Sequence, residues 1–240
     1  MKTFTATIYY RLVTDFRVSQ AVFFTLVFPV FLFLIFSMIW GGAEDPAYVS
    51  FLITGILGAT LASEGMFAIG EVVKEYYEYN MIRYFRVLPT STVSHFASLA
   101  VSRSLFIVMM ALLMFALAFV LYGYTFTLSE LAYIGLGSVV GMLCFAALGL
   151  VLSFSNIRVR VSNGLLNFIF FLLIFLSNAY YPLREVNPSL NRIADLLPLN
   201  HVLNVIRGEF LTVSLIYCGV SIVVYFALFR YLFHHYQLKR

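Results

Sequence analysis

Between Gln20 and Trp40 only three residues, Thr25, Pro29 and Ser37, are not apolar. A helix rises 1.5 Å per residue, so a run of this length crosses a hydrocarbon layer about 30 Å thick. Lipid offers no partner to a backbone N–H or C=O, which leaves a self-bonded helix or a closed barrel as the only spanning forms. The pattern recurs at about 49–70, 96–122, 131–154, 164–181 and 213–233. With spans 20–40 included, the reading is one all-α integral membrane domain over residues 1–240, with six transmembrane helices. Composition agrees: 62% of residues are hydrophobic and 11% charged, with a mean hydropathy of +0.95, far from a soluble domain. A net charge of +4 is small for a nucleic-acid binder, and no nucleic-acid partner is expected. Cys144 and Cys218 both sit inside apolar runs, where cysteine acts as a small hydrophobe, so no disulfide framework follows. The first run is too long for a signal peptide and lacks a small-residue cleavage site, so it is expected to stay as a span.

The segments between the runs carry the information about function. In residues 1–18, Phe4, Ile8 and Leu12 repeat every four positions beside Lys2, Arg11 and Arg17, the pattern of a basic amphipathic helix at a membrane surface. Residues 71–90 form a charged island. Its apolar positions Tyr76, Tyr79, Ile82, Phe85 and Leu88 share one helical face, Glu75, Glu78, Arg83 and Arg86 point elsewhere, and Pro89 ends the helix. A solvated interfacial helix is the plain reading of such a stretch. Residues 183–211 are too polar to span and too apolar for an ordinary loop. They read as two short re-entrant helices, one starting at Pro188 with Asn187 as cap and Leu190, Ile193, Ala194 and Leu197 on its apolar face. Pro198 breaks it, and the second follows with Asn200 as cap and Val202, Val205, Ile206 and Phe210 on one face.

With the N-terminus in the cytosol, every basic residue except Arg184, Arg192 and Arg207 falls on the inner side, so both termini are expected to be cytosolic in a cell (plasma or inner) membrane. Pro29 predicts a kink in the first span. Gly137, Gly141, the Cys144–Phe145 position and Gly149 form a small-residue stripe in the fourth. Two charges lie within spans: Glu64, a turn or two above the cytosolic end of the second, and Arg103, at similar depth in the third. A charge at a helix centre costs about 3 kcal/mol on insertion scales, so the two are expected to pair. The competing reading makes Glu64 a contact for a cationic substrate.

This arrangement resembles the membrane subunit of an ABC-2 type transporter, the half-transporter architecture shared in outline with the ABCG group. The resemblance rests on order and spacing: the basic N-terminal helix, six spans, a cytosolic helix ending as RYFRVLPTS between spans two and three, and paired short helices containing LPLNHVLNVIRGEF between spans five and six. It implies a dimer of membrane subunits, with itself or a paralogue, each resting on a separate ABC ATP-binding subunit that receives residues 71–90 as a coupling helix. Glu75, Tyr76, Glu78, Tyr79, Arg83, Phe85, Arg86 and Pro89 would then make the coupling contact, with Tyr76, Tyr79 and Phe85 as apolar anchors. No G-x-x-x-x-G-K-[ST] occurs here, so ATP and magnesium are expected at the partner and no cofactor on this chain. The implied activity is export of an amphiphilic, drug-like, lipid or lipid-linked glycan substrate by alternating access. Phe67, Phe171, Phe175 and Asn178 are candidates for the path, and Pro182, Pro198, His201, Arg207 and Glu209 for an outer gate. The alternative is an intramembrane metal-dependent hydrolase using His95, His201 and Glu64. No H-E-x-x-H supports it, the two histidines are predicted on opposite membrane sides, and no metal site is expected.

Overall fold

The computed structural model describes residues 2–39, 46–81, 92–155, 158–183 and 188–238, and these are mainly helical, with no strand among them. Helix α1 (Lys2–Arg17) is followed by α2 (Ser19–Val22), a π-helical segment (Phe23–Val27) and α3 (Phe28–Ile39). Helix α4 (Pro46–Ser63) runs through a second π-helical segment (Glu64–Glu71) into α5 (Val72–Glu78). Then come α6 (Thr92–Tyr122), α7 (Leu128–Phe154), α8 (Val159–Phe175), α9 (Pro188–Ala194), α10 (Pro198–Arg207) and α11 (Leu211–Leu238).

Among the described residues, four helices are long and apolar enough to cross a membrane: Ala47–Glu78, Ser94–Tyr122, Leu128–Phe154 and Leu211–Tyr236. Two further apolar helices, Phe23–Ile39 and Arg160–Phe175, are shorter. The column α4–π–α5 is the axis of the bundle: 83% of its most apolar stretch is buried, against 17% for α11 at the periphery. The column's Leu52, Ile53, Ile56, Leu57 and Met66 share one buried cluster with Met110 and Met114 of α6, Phe145 of α7, and Leu199, Val202 and Leu203 of α10.

Glycine sets how close the column and α7 come. A Cβ on Gly149 would lie 2.6 Å from Met66 Cα, and one on Gly65 would lie 2.6 Å from Phe145 Cβ and 2.7 Å from the Ala146 nitrogen. Gly137 and Gly141 meet Ile206 and Val202 of α10 in the same way. The small-residue stripe therefore serves two neighbours, the column and α10, as close packing without a hydrophobic driving force requires. At its other end α7 begins with a capping box, in which the Glu130 backbone N–H donates to Thr127 Oγ1 (3.3 Å) and the Thr127 N–H donates to Glu130 Oε2 (2.7 Å).

Several details differ from the sequence expectations. The irregularity predicted at Pro29 lies before it: the proline ring presses on the carbonyl four residues back, at Thr25, and the π-helical segment Phe23–Val27 surrounds that position. Helix α8 stops at Phe175 instead of 181, where Asn178 turns to side chains of α9 and α10. Helix α10 starts at Pro198 with Leu197 in the cap position, so Asn200 is not the cap and its amide is used elsewhere. Gly208, at φ 72°, ends α10 and leaves Phe210 60% exposed, off the face of Val202, Val205 and Ile206. In α9 the expected face is split: Ala194 is buried beside Asn191, while Leu190 and Ile193 turn outward. Asn191 is drawn inside by its hydrogen bonds with Asn178 and Asp195, and that sets the rotation of α9.

Candidate functional site

Two polar centres lie at opposite ends of the bundle. The first is built around Arg103, which α6 carries near its N-terminal end. Arg103 Nη2 donates to Asp15 Oδ1 of α1 at 3.2 Å, and Nη1 lies 3.6 Å from Glu64 Oε2 at the start of the second π-helical segment. Ser102 Oγ donates to Asp15 Oδ2 (3.2 Å), and Thr25 Oγ1, in the first π-helical segment, donates to Glu64 Oε1 (2.6 Å). The side chains of Arg103, Asp15 and Glu64 are 14%, 11% and 7% exposed, so one guanidinium holds two largely buried carboxylates. Four elements meet here, including both π-helical segments, a feature common at functional sites.

One turn along α1, Arg11 Nη2 donates to Tyr76 Oη of α5 (2.9 Å), and Nη1 lies 3.3 Å from His95 Nε2 of α6. Tyr76 stacks on Phe96 with ring centroids 6.2 Å apart. Tyr76 is thus engaged by its own chain and does not face outward as an anchor, whereas Tyr79, just past the end of α5, is 66% exposed. Glu75 and Glu78 lie on α5, both partly exposed. Arg83, Phe85, Arg86 and Pro89 lie outside the described residues.

The second centre joins the turn after α8 to α9 and α10. Asn178 Nδ2 donates to Asn200 Oδ1 (2.9 Å) and Asn191 Oδ1 (3.3 Å), and its Oδ1 accepts the Leu183 N–H (2.9 Å). Asp195 accepts from Asn200 Nδ2 (2.9 Å) and Asn191 Nδ2 (3.0 Å). Arg207 donates from Nε to Thr54 Oγ1 (3.1 Å) and from Nη2 to the carbonyls of Phe51 (3.2 Å) and Asn178 (2.9 Å), with its guanidinium 4.0 Å from the Phe51 ring centre. Burial lowers the Arg207 pKa to about 10, which leaves it charged at neutral pH. His201 stacks on Tyr217 at 3.8 Å, with Nε2 2.9 Å from the Asp195 carbonyl oxygen. Of the residues expected at an outer gate, Pro198, His201 and Arg207 belong to this centre through α10, Pro182 precedes the Leu183 amide that Asn178 holds, and Glu209 is exposed.

The aromatic path candidates are linked through Phe170, whose ring centre lies 5.8 Å from that of Phe171. Phe67 packs edge-on against Phe170 with centroids 5.3 Å apart, while Phe171 and Phe175 stack on each other on the outer face of α8, 54% and 63% exposed. The amide of Asn178 is taken up by its neighbours rather than presented to an open space. His95 and His201 belong to different centres, and no group of three His, Cys, Asp or Glu among the described residues is placed to hold a metal ion.

A family model for the ABC-2 type transporter matches residues 3–211. The chain belongs to the ABC-2 type transporter family. It is therefore a multi-pass membrane permease subunit of an ABC exporter, the transport part rather than the ATPase, and it works with an ABC ATP-binding subunit. The match takes in the first polar centre and all of the second except Tyr217, and it stops at the first residue of α11. No curated protein matches the chain. In this ABC-2 permease, the residue that sequence reasoning missed is Asp15. Its signal was present: it is the only acid in an otherwise basic α1, one turn from Arg11.

Proposed function

We propose that this permease is a six-span half-transporter, with α3 and α8 as the two spans shorter than the rest and both termini in the cytosol. It moves an amphiphilic, drug-like, lipid or lipid-linked glycan substrate outward by alternating access, and it works as a dimer with itself or a paralogue. ATP and magnesium act at the separate ATP-binding subunit, and this chain takes up the resulting movement through residues 71–90. The observation that carries the reading is the column α4–π–α5, the most buried element of the bundle, which runs on without a break to the exposed Tyr79. A force applied at Tyr79 would act on the centre of the protein and not on a peripheral helix.

The Arg103 centre supports the same reading. It ties the surface helix α1 to the column and to α6, so that movement of residues 71–90 carries α1 with it. We assign Glu64 and Arg103 a structural part in that coupling, in preference to contact with a cationic substrate, because Arg103 and Thr25 already engage the carboxylate. The centre around Asn178, Asn200 and Arg207 would form the outer gate. The test is affinity purification of the tagged chain in mild detergent, with identification of what accompanies it and an ATPase assay. A stoichiometric ATP-binding subunit, lost on Tyr79→Ala while Tyr76→Phe retains it, is the expected result. Reproducible purification of the folded chain alone would overturn the proposal.

A further inference from the structure

Lys74 is fully buried, an unusual state for a lysine, and rings from two elements far from it in sequence lie against its ammonium. Its ammonium lies 4.0 Å from the ring centre of Tyr236 in α11 and 4.9 Å from that of Phe154 at the end of α7. Next to it on α5, Tyr77 meets Phe233 of α11 edge-on at 4.9 Å and Phe154 at 5.9 Å. Phe154 in turn touches Phe229, Phe233 and Tyr236 at 5.3–5.5 Å. Rings offer a desolvated cation their negative faces, so the last turns of α11 are attached to α5 through a cation held in an aromatic cage.

The other end of α11 is attached as specifically. Tyr217 Oη donates to the Leu196 carbonyl at 2.7 Å, the Tyr217 ring stacks on His201 of α10, and Ser214 Oγ lies 3.4 Å from His201 Nδ1. Between these attachments α11 lies along α7 and exposes Val220, Val223, Val224 and Leu228. A single helix of about 33 Å from Ser214 to Tyr236 therefore connects the base of α5 to the α9–α10 pair.

We propose that Lys74 is a positioning residue that makes α11 the connecting rod between the coupling segment and the outer helical pair. A displacement of α5 carries the end of α11 with it, and a nearly rigid helix delivers that displacement to His201 and Leu196. The transport meaning rests on the coupling reading above, but the mechanical link is a property of this chain alone and is testable without the ATP-binding subunit.

The experiment is hydrogen exchange of the full-length chain in lipid nanodiscs, comparing Lys74→Met with Lys74→Arg, which keeps a cation for the cage. In Lys74→Met, amides at the α5 and α11 cage ends are expected to exchange roughly tenfold faster, and those of 196–206 and 211–217 about threefold faster. Lys74→Arg is expected to stay within about twofold of the parent at both ends. Acceleration confined to the cage end would overturn the rod, and Arg behaving like Met, or no acceleration at all, would overturn the cage. Should Lys74→Met fail to fold, Tyr236→Leu against Tyr236→Phe poses the same question, with the same two expected patterns and the same refutations. Failure here with an ATP-binding subunit still co-purifying removes the rod and leaves the transporter reading standing.

Discussion

Replacing Arg103 by methionine probes the centre on which four elements converge. The guanidinium lies 3.2 Å from Asp15 and 3.6 Å from Glu64, and at an effective dielectric of about 20 each contact is worth about 5 kcal/mol of Coulomb attraction before desolvation. Much of that is offset by the cost of withdrawing three charges from water, so the pairs add little over an apolar replacement. Removing the cation alone is different, because two largely buried carboxylates then face each other without a counter-charge. Breaking a buried pair in this way costs about 3–5 kcal/mol. For a chain of this length that lowers the unfolding midpoint by on the order of 10 °C. The assay is thermal unfolding in mild detergent, followed by loss of the monodisperse peak in size exclusion. The informative control is Arg103→Met combined with Asp15→Asn and Glu64→Gln, which removes all three charges but keeps oxygens to accept from Ser102 and Thr25. The triple variant is expected to regain most of the stability lost by the single one. A single variant melting within about 2 °C of the parent, or a triple variant no better than the single, would refute this account of the centre.

Three further outcomes follow from the same geometry. Gly149→Leu forces a side chain into the Met66 backbone and is expected to lose about 3 kcal/mol or more, seen as loss of folded protein, whereas Gly135→Leu, whose Cβ would meet nothing within 4 Å, is expected to match the parent. Asn200→Leu leaves the Asn178 and Asp195 side chains short of a partner and is expected to cost about 2 kcal/mol, read as a lower midpoint and faster proteolysis between α9 and α10. Tyr76→Phe removes the oxygen to which Arg11 donates and is expected to cost about 1.5 kcal/mol of stability, while Tyr79→Ala is expected to leave the midpoint unchanged. Equal effects of these two substitutions on stability would count against the contrast between an inward Tyr76 and an outward Tyr79.

The helical elements were legible where local rules act alone. Apolar run length predicted a membrane bundle, and the spacing of Gly137, Gly141 and Gly149 predicted a close-packed face on α7. The depths of Glu64 and Arg103 predicted that they would meet, since two spans joined at one end place such residues at one level. Asp15 escaped because its partner depends on how a surface helix docks on α6, which no periodicity encodes. The cap expected at Asn200 was displaced for a related reason: Leu197–Pro198 starts the helix equally well, and the amide is needed by Asn178 and Asp195 across the fold.

By itself, then, the sequence determined that the chain is a helical membrane protein with several apolar runs of spanning length, because hydrocarbon imposes its requirement on each residue independently of its neighbours. The tertiary structure alone decided which way each residue faces: that Tyr76 turns inward and Tyr79 outward, that Phe170 joins Phe67 to Phe171 and Phe175, and that Lys74 is buried against rings from α7 and α11. Lipid does not distinguish one apolar face of a helix from another, so the rotation of each span is set by contacts between helices, where small residues permit close approach and a few polar groups must find one another.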